Sequence, residues 1–281
     1  MSPPDQDCFF FSDRDGNQLY GRVRLPDQGT RSTGVVIASP IGRERLRVYR
    51  ELVWTSRVLA TAGYPVLQFD YRGEGESEGT FDRSTLTSRV DDLEAAAREL
   101  RTRSGCSDLC VMGVREGALI ALLGAQRLTP TRLILCEPIC DPRSHAHKLI
   151  RAHLVLQKHH YGNEAITSKD VRRTLADGGR VSIYGFFLAA PLLHELESLD
   201  PGPLLRRYDG QSALIYFAPK HVPPKKEIQR WRDQLATGGA CEAICAVLNF
   251  SWTTKKIWSS HLVALNDTVT EWLQRTGQAT T

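Results

Sequence analysis

Residues 109–127 read LCVMGVREGALIALLGAQR. An apolar run with strand character passes into a helical period with only the glycine-framed turn Gly113-x-Arg115-x-Gly117 between them. A strand that turns this tightly into a helix belongs in a parallel sheet, where each strand is followed by a crossover that packs back onto the sheet face. The chain repeats the unit on both sides. Residues 18–25, QLYGRVRL, alternate as a strand does, and GVVIASP from Gly34 is a short buried-strand run. A helix is predicted over about 48–62, closed by Gly63. YPVLQFD then runs into the glycine-rich turn YRGEGES, and the next helix carries Leu86, Val90, Leu93, Ala97 and Leu100 on one stripe before Gly105 ends it. RLILCEPICD, SALIYFAP and AICAVLNF supply later strands, with helix KEIQRWRDQL between the last two and a closing helix around Leu262, Leu265, Val269 and Trp272. The pattern predicts an α/β fold: a mainly parallel, doubly wound sheet covered on both faces. Residues 143–207 interrupt the alternation and are expected to form a helical insertion above the carboxyl ends of the strands, a lid over the crevice. With 281 residues, 41% of them hydrophobic, the chain can bury such a core as a single domain over 1–281.

Composition narrows the function classes. The net charge of +4 is spread along the chain rather than gathered into a block, which argues against nucleic acid as partner. The amino terminus lacks a basic leader, and its apolar stretch, Cys8 to Phe11, is far too short for a signal peptide or a membrane span. A cytoplasmic protein is the expectation. The seven cysteines show no zinc or redox spacing, and Cys110, Cys136, Cys241 and Cys245 sit in apolar runs where a reduced thiol acts as a small hydrophobe. His145, His147, His153, His159 and His160 fall in the insertion without a carboxylate or cysteine at ligand spacing, and are read as a solvated helix rather than a metal site. No cofactor is implied.

Four segments taken together resemble a known family: SPIGRE at 39–44, VLQFDYRGEGES at 66–77, GVREG at 113–117 and LCEPICD at 135–141. They are similar to the α/β-hydrolase superfamily, in its serine-aminopeptidase-like (S33) bacterial branch, and particularly to exosortase-A-system-associated hydrolases that carry G-x-R-x-G in place of G-x-S-x-G. The resemblance is good over residues 33–200. It implies the α/β-hydrolase fold and, by ancestry, hydrolysis of an ester, thioester or amide. In such enzymes the middle elbow position holds the nucleophile, the acid follows the seventh strand and the histidine follows the eighth.

The residues depart from that scheme. The elbow position is Arg115, a permanently protonated group that cannot attack a carbonyl. After ALIYFAP the first acidic residue is Glu227, already within the next helix, and after the last strand the sole histidine is His261, later than the usual loop position. Cys140 and Asp141 follow the sixth strand of the scheme and are the substitute nucleophiles to consider, with Glu137 near them. Their plainer reading is apolar filler and an Asp-Pro turn into the insertion. The expected function is therefore a catalytically degenerate binding or accessory protein. The rivals are a hydrolase with a non-standard constellation and a structural partner protein acting through the insertion or the basic 220–226 loop.

An arginine at the amino end of a helix makes the crevice floor attractive to a carboxylate or phosphate, hence to a small anionic or acyl-containing ligand. Gly42, Arg43 and Glu44, in the loop expected to face the elbow, complete the candidate pocket with Arg115 and Glu116. The guanidinium needs a partner. Glu44 across the top of the sheet is one candidate, Glu116 a second and a ligand a third, and the sequence leaves them open.

Overall fold

The protein is described by a computed structural model covering residues 5–27, 29–162, 166–250, 252 and 262–278. Its strands are β1 (Asp5–Ser12), β2 (Gln18–Leu25), β3 (Thr33–Ala38), β4 (Val66–Phe69), β5 (Asp108–Val114), β6 (Arg132–Cys136), β7 (Arg180–Ile183), β8 (Phe186–Ala189), β9 (Gln211–Ala218) and β10 (Cys241–Val247). Eight of them form one sheet in the order β1-β2-β4-β3-β5-β6-β9-β10. From β4 to β10 every neighbouring pair is parallel, while β1 and β2 join as an antiparallel edge. Every residue of β3, β4 and β6 is buried, as near-continuous apolar strands in a two-sided sheet must be.

The helices are α1 (Gly42–Thr61), α2 (Leu86–Ser104), α3 (Glu116–Leu128), α4 (Pro142–Tyr161), α5 (Ser168–Ala176), α6 (Ala190–Ser198), α7 (Gly202–Arg207), α8 (Lys226–Leu235) and α9 (Val263–Gln278). They divide between two cores. On one face α2 and α3 bury Val90, Leu93, Leu100 and Ile120. On the other α1 and α9 bury Val48, Leu52, Val269 and Trp272. The stripe expected on α2 is the buried one, and the helix starts and stops where its caps dictate: Thr85 accepts from the Ser88 amide, and Gly105 takes φ 67° at the end.

Three sequence expectations change. α1 begins at Gly42, six residues before the predicted start, so Arg43 and Glu44 lie in a first helical turn and not in a loop. The cap explains it: Ile41 offers no side-chain acceptor, and the buried carboxylate of Glu74, from the glycine-rich turn, accepts the Gly42 amide at 2.8 Å instead. The stretch Cys8 to Phe11, read only as too short to span a membrane, lies within β1, which pairs along its whole length with β2. The segment between β6 and β9 is not purely helical. It contains a hairpin, β7 to β8, whose turn Tyr184-Gly185 has φ 53° and 91° at its two central positions, as a tight primed turn requires. No helix among the described residues is long and apolar enough to cross a membrane.

Candidate functional site

The strand-to-helix turn carries Arg115 at its centre. Arg115, between β5 and α3, holds φ 56° and ψ −117°, a sparsely populated conformation for a side chain other than glycine. Its surroundings impose it. A Cβ on Gly113 would lie 2.4 Å from the Gly117 carbonyl oxygen, and one on Gly117 would lie 2.1 Å from the Ala38 carbonyl oxygen. The two glycines thus let α3 start directly against β3, and the Arg115 amide is pinned to the Cys136 carbonyl at 3.0 Å.

From that perch the guanidinium reaches across to α1. Nε donates to Glu44 Oε2 at 2.7 Å and Nη2 to Glu44 Oε1 at 3.3 Å, a two-pronged bond, while Nη1 donates to the Glu137 carbonyl at 3.2 Å. The Trp252 ring lies 4.9 Å from the guanidinium carbon. The Glu44 side chain lies within the first turn of α1, where the helix dipole favours a carboxylate. Burial and the nearby charge of Glu116 nonetheless push the Glu44 carboxyl above its ordinary range, against the pull of Arg115.

Glu116 is not the arginine's hydrogen-bonding partner. It opens α3, is 2% exposed, and faces His145 of α4, which is 6% exposed, with Oε1 and Nε2 2.7 Å apart. The contact is short, but its alignment falls outside hydrogen-bond geometry, and Glu116 Oε2 has no hydrogen-bond partner among the described residues. Burial works to raise the Glu116 carboxyl; attraction to the facing His145 outweighs it and holds it below its usual value. Of the five α4 histidines read as solvated, His147, His159 and His160 are exposed, while His145 and His153 correct that reading. His145 and His153 are buried, and His153 Nδ1 contacts the Ser182 carbonyl at 2.6 Å. The signal was in the spacing: Pro142, Ala146 and Ile150 with His145 and His153 recur on one face at helical intervals.

The other candidates among the described residues make contacts of their own. Asp141 caps α4 by accepting the Ser144 amide at 2.8 Å. Asp141→Ala is expected to cost about 1 kcal/mol of stability in a denaturant titration; a loss of function without a loss of stability would contradict the capping role. Cys140 is half-buried, and burial together with the Glu227 and Glu137 charges pushes its thiol up to about 12, so a thiolate nucleophile is not available at neutral pH. Glu137 is spent on accepting the Phe217 amide at 2.7 Å and the Trp252 indole at 3.2 Å. Gly42 lines the crevice, yet its amide is committed to Glu74. Arg43 stacks on Tyr184 of the hairpin turn, 4.0 Å from the ring centre. His261 lies outside the described residues.

Two cavities meet at the elbow. One, of about 420 Å³, is walled by apolar side chains from the hairpin and helices, including Phe81, Leu149, Ile183, Phe186, Leu188 and Leu192. The other, of about 570 Å³, is more polar and opens toward Asp141, Lys225 and Glu227. Arg115, His145, Lys148 and Trp252 line both. Among the described residues no group of three or more histidine, cysteine or acidic side chains is arranged to hold a metal ion.

Comparison with solved structures finds the same fold at low identity. Est1E from Butyrivibrio proteoclasticus, with ferulic acid bound, superposes with a TM-score of 0.69 at 15% identity over 95% of this chain and 98% of that one. The Pyrococcus furiosus esterase Pf2001 gives a TM-score of 0.65 at 16% identity, covering 97% of this chain and 91% of the other. XC6422 from Xanthomonas campestris, an α/β serine hydrolase without a lid, gives 0.58 at 17% identity over 98% and 96%. No curated protein matches the sequence. The model of one family, serine aminopeptidase, S33, matches residues 31–181, from the strand before the crevice, through the elbow, to β7. With more than half of its 281 residues inside that match and the sheet of an α/β-hydrolase around them, the chain belongs to the serine aminopeptidase S33 family.

Proposed function

We propose that this chain is a non-hydrolytic member of its family that binds a small amphiphile, an acyl or aryl group carrying an anionic head, with the segment between β6 and β9 serving as lid. One observation carries the reading: the elbow side chain is a guanidinium held in a two-pronged bond by Glu44, on the very turn where a hydrolase presents its attacking oxygen. The apolar wall of the smaller cavity suits a hydrocarbon chain or ring. Arg43 and Lys148 line the same cavity, and neither has a carboxylate within ion-pair distance among the described residues, so a carboxylate or phosphate head is the complement. Because Arg115 is already matched by Glu44, the anion is drawn to these two cations rather than to the elbow itself.

The reading is tested by thermal melts with octanoate, dodecanoate and octyl phosphate. A ligand present at about 100 times its dissociation constant should stabilise the fold by about 2.7 kcal/mol. Leu149→Trp, which fills the cavity from its wall, should abolish that shift while the free protein still melts cooperatively. No shift with any of the three, or a shift indifferent to the tryptophan, would overturn it.

A further inference from the structure

We propose that Glu116 and His145 are the proton-carrying half of this cavity, so that an anionic head enters it together with one proton. The inference rests on the amphiphile reading above and adds what the head group must bring with it.

The argument is one of charge placement. Arg115 and Glu44 match each other, while Arg43, Arg47 and Lys148 line the same cavity and give its wall the positive charge that draws an anion. Glu116 is the carboxylate at the elbow that pairs with no fixed cation among the described residues and faces His145 instead. With His145 neutral the Glu116 charge opposes an anion in the cavity; with a proton on the pair that opposition is cancelled. Like charges in one cavity repel, so the state with the proton accepts the anion better.

The pair's own geometry points the same way. Glu116 Oε2 is a buried acceptor with no hydrogen-bond partner, and His145 Nε2 lies close to Oε1 but off line. A buried carboxylate with one unfilled oxygen is a standing demand for a donor. With Nε2 turned to Glu116, Nδ1 is the ring nitrogen left for water or ligand, and His145 lines both cavities.

The other charged and titratable groups that line the two cavities come from every element packed around the pair. From α1 the facing groups are Glu44, already bound to Arg115, and the cations Arg43 and Arg47. From α4 itself they are Lys148 and the capping Asp141. The hairpin contributes Tyr184, and α6 contributes only Leu192. At the end of β6 stand Glu137, bound to Phe217 and Trp252, and Cys140, whose thiol is held protonated. Beyond them, β9 supplies Tyr216 and the start of α8 supplies Lys225 and Glu227, all on the polar cavity.

Linkage gives the sign: if the protonated pair binds an anion better, affinity rises as pH falls, by at most about tenfold per pH unit for one coupled proton. Octane-1-sulfonate, an anion at every working pH, is the probe, with octan-1-ol as its neutral counterpart. Titration calorimetry between pH 8.5 and 5.5, in buffers of different ionisation enthalpy, reads affinity and proton uptake together. The expected result is sulfonate binding that tightens toward low pH with uptake of up to one proton, while octanol binding stays level. His145→Gln should leave weak sulfonate binding at every pH, and Glu116→Gln strong binding at every pH. Sulfonate binding that neither varies with pH nor exchanges a proton would overturn the proton linkage and leave the amphiphile reading standing. So would octanol following the same pH curve, since the effect would then not be one of charge. Failure of both probes to bind would overturn the amphiphile reading itself, and this inference with it. The proton count is read on the unaltered protein, so the test survives if either variant fails to fold.

Discussion

Arg115→Met and Glu44→Gln are each expected to destabilise the fold by about 2–3 kcal/mol, and the double variant to recover most of that loss. Breaking a buried ion pair by removing one partner costs about 3–5 kcal/mol, because the other charge is stranded. Here the two side chains are 17% and 21% exposed, so water reaches part of the pair and the lower figure applies. The two single variants should differ with pH. In Arg115→Met the stranded group is a carboxylate whose pKa burial and Glu116 already raise, and it can take up a proton. Its destabilisation should therefore shrink as pH falls through the raised pKa. In Glu44→Gln the stranded group is a guanidinium, which cannot shed its charge, and the loss should be nearly independent of pH across the same range. Urea titrations of the four proteins at pH 5 and pH 8 form a double-mutant cycle. Additive effects with no pH asymmetry would mean that Arg115 and Glu44 are neighbours without being coupled.

Much of the fold can be read from the sequence because most residues of each parallel strand are apolar and the strand is closed by a turn, and the helices on the sheet show an apolar stripe. Val90, Leu93, Ala97 and Leu100 of α2 are all buried as their spacing requires. The elbow was legible for a different reason. Gly113 and Gly117 are demanded by backbone contacts, not by side-chain packing, so their frame can be read whichever residue stands between them.

What escaped is instructive in the same terms. The cap of α1 is supplied by Glu74, thirty-two positions away, and no local pattern shows a helix start when its acceptor comes from another turn. β1 carries adjacent Phe9, Phe10 and Phe11 and so lacks strict alternation, although Phe11 is buried and Phe10 is 56% exposed. In the hairpin the turn residues are Tyr184-Gly185, where Asn-Gly or Asp-Gly is the usual signal. The His145 and Glu116 pair joins α4 to α3. Each residue taken alone reads as a surface group, and only the packing of the segment between β6 and β9 over the elbow brings them together.

No covalent labelling by a fluorophosphonate probe and no turnover of short p-nitrophenyl esters above background are expected of the unaltered protein. Enzymes of ordinary competence accelerate such reactions by at least about 10⁶-fold, and the elbow here offers neither hydroxyl nor thiol to begin one. Arg115→Ser puts a hydroxyl on the strained turn, whose φ of 56° already suits a nucleophile's position. It should still restore little. A serine without an aligned base keeps only what binding and the surrounding amides provide, about 10³–10⁴-fold over water. The same substitution also frees Glu44, adding a negative charge where an oxyanion would form, so electrostatics works against the tetrahedral intermediate. Glu44→Gln in the Arg115→Ser background isolates that second effect and should raise any residual rate without approaching a competent esterase. The informative contrary result is robust turnover in Arg115→Ser. If His145→Ala then abolishes it, the Glu116 and His145 pair is a working base that lacks only a nucleophile. If His261→Ala abolishes it, the base lies after β10, as in a conventional hydrolase. Stoichiometric labelling of the unaltered protein would show that another residue attacks, and the non-hydrolytic reading would fall.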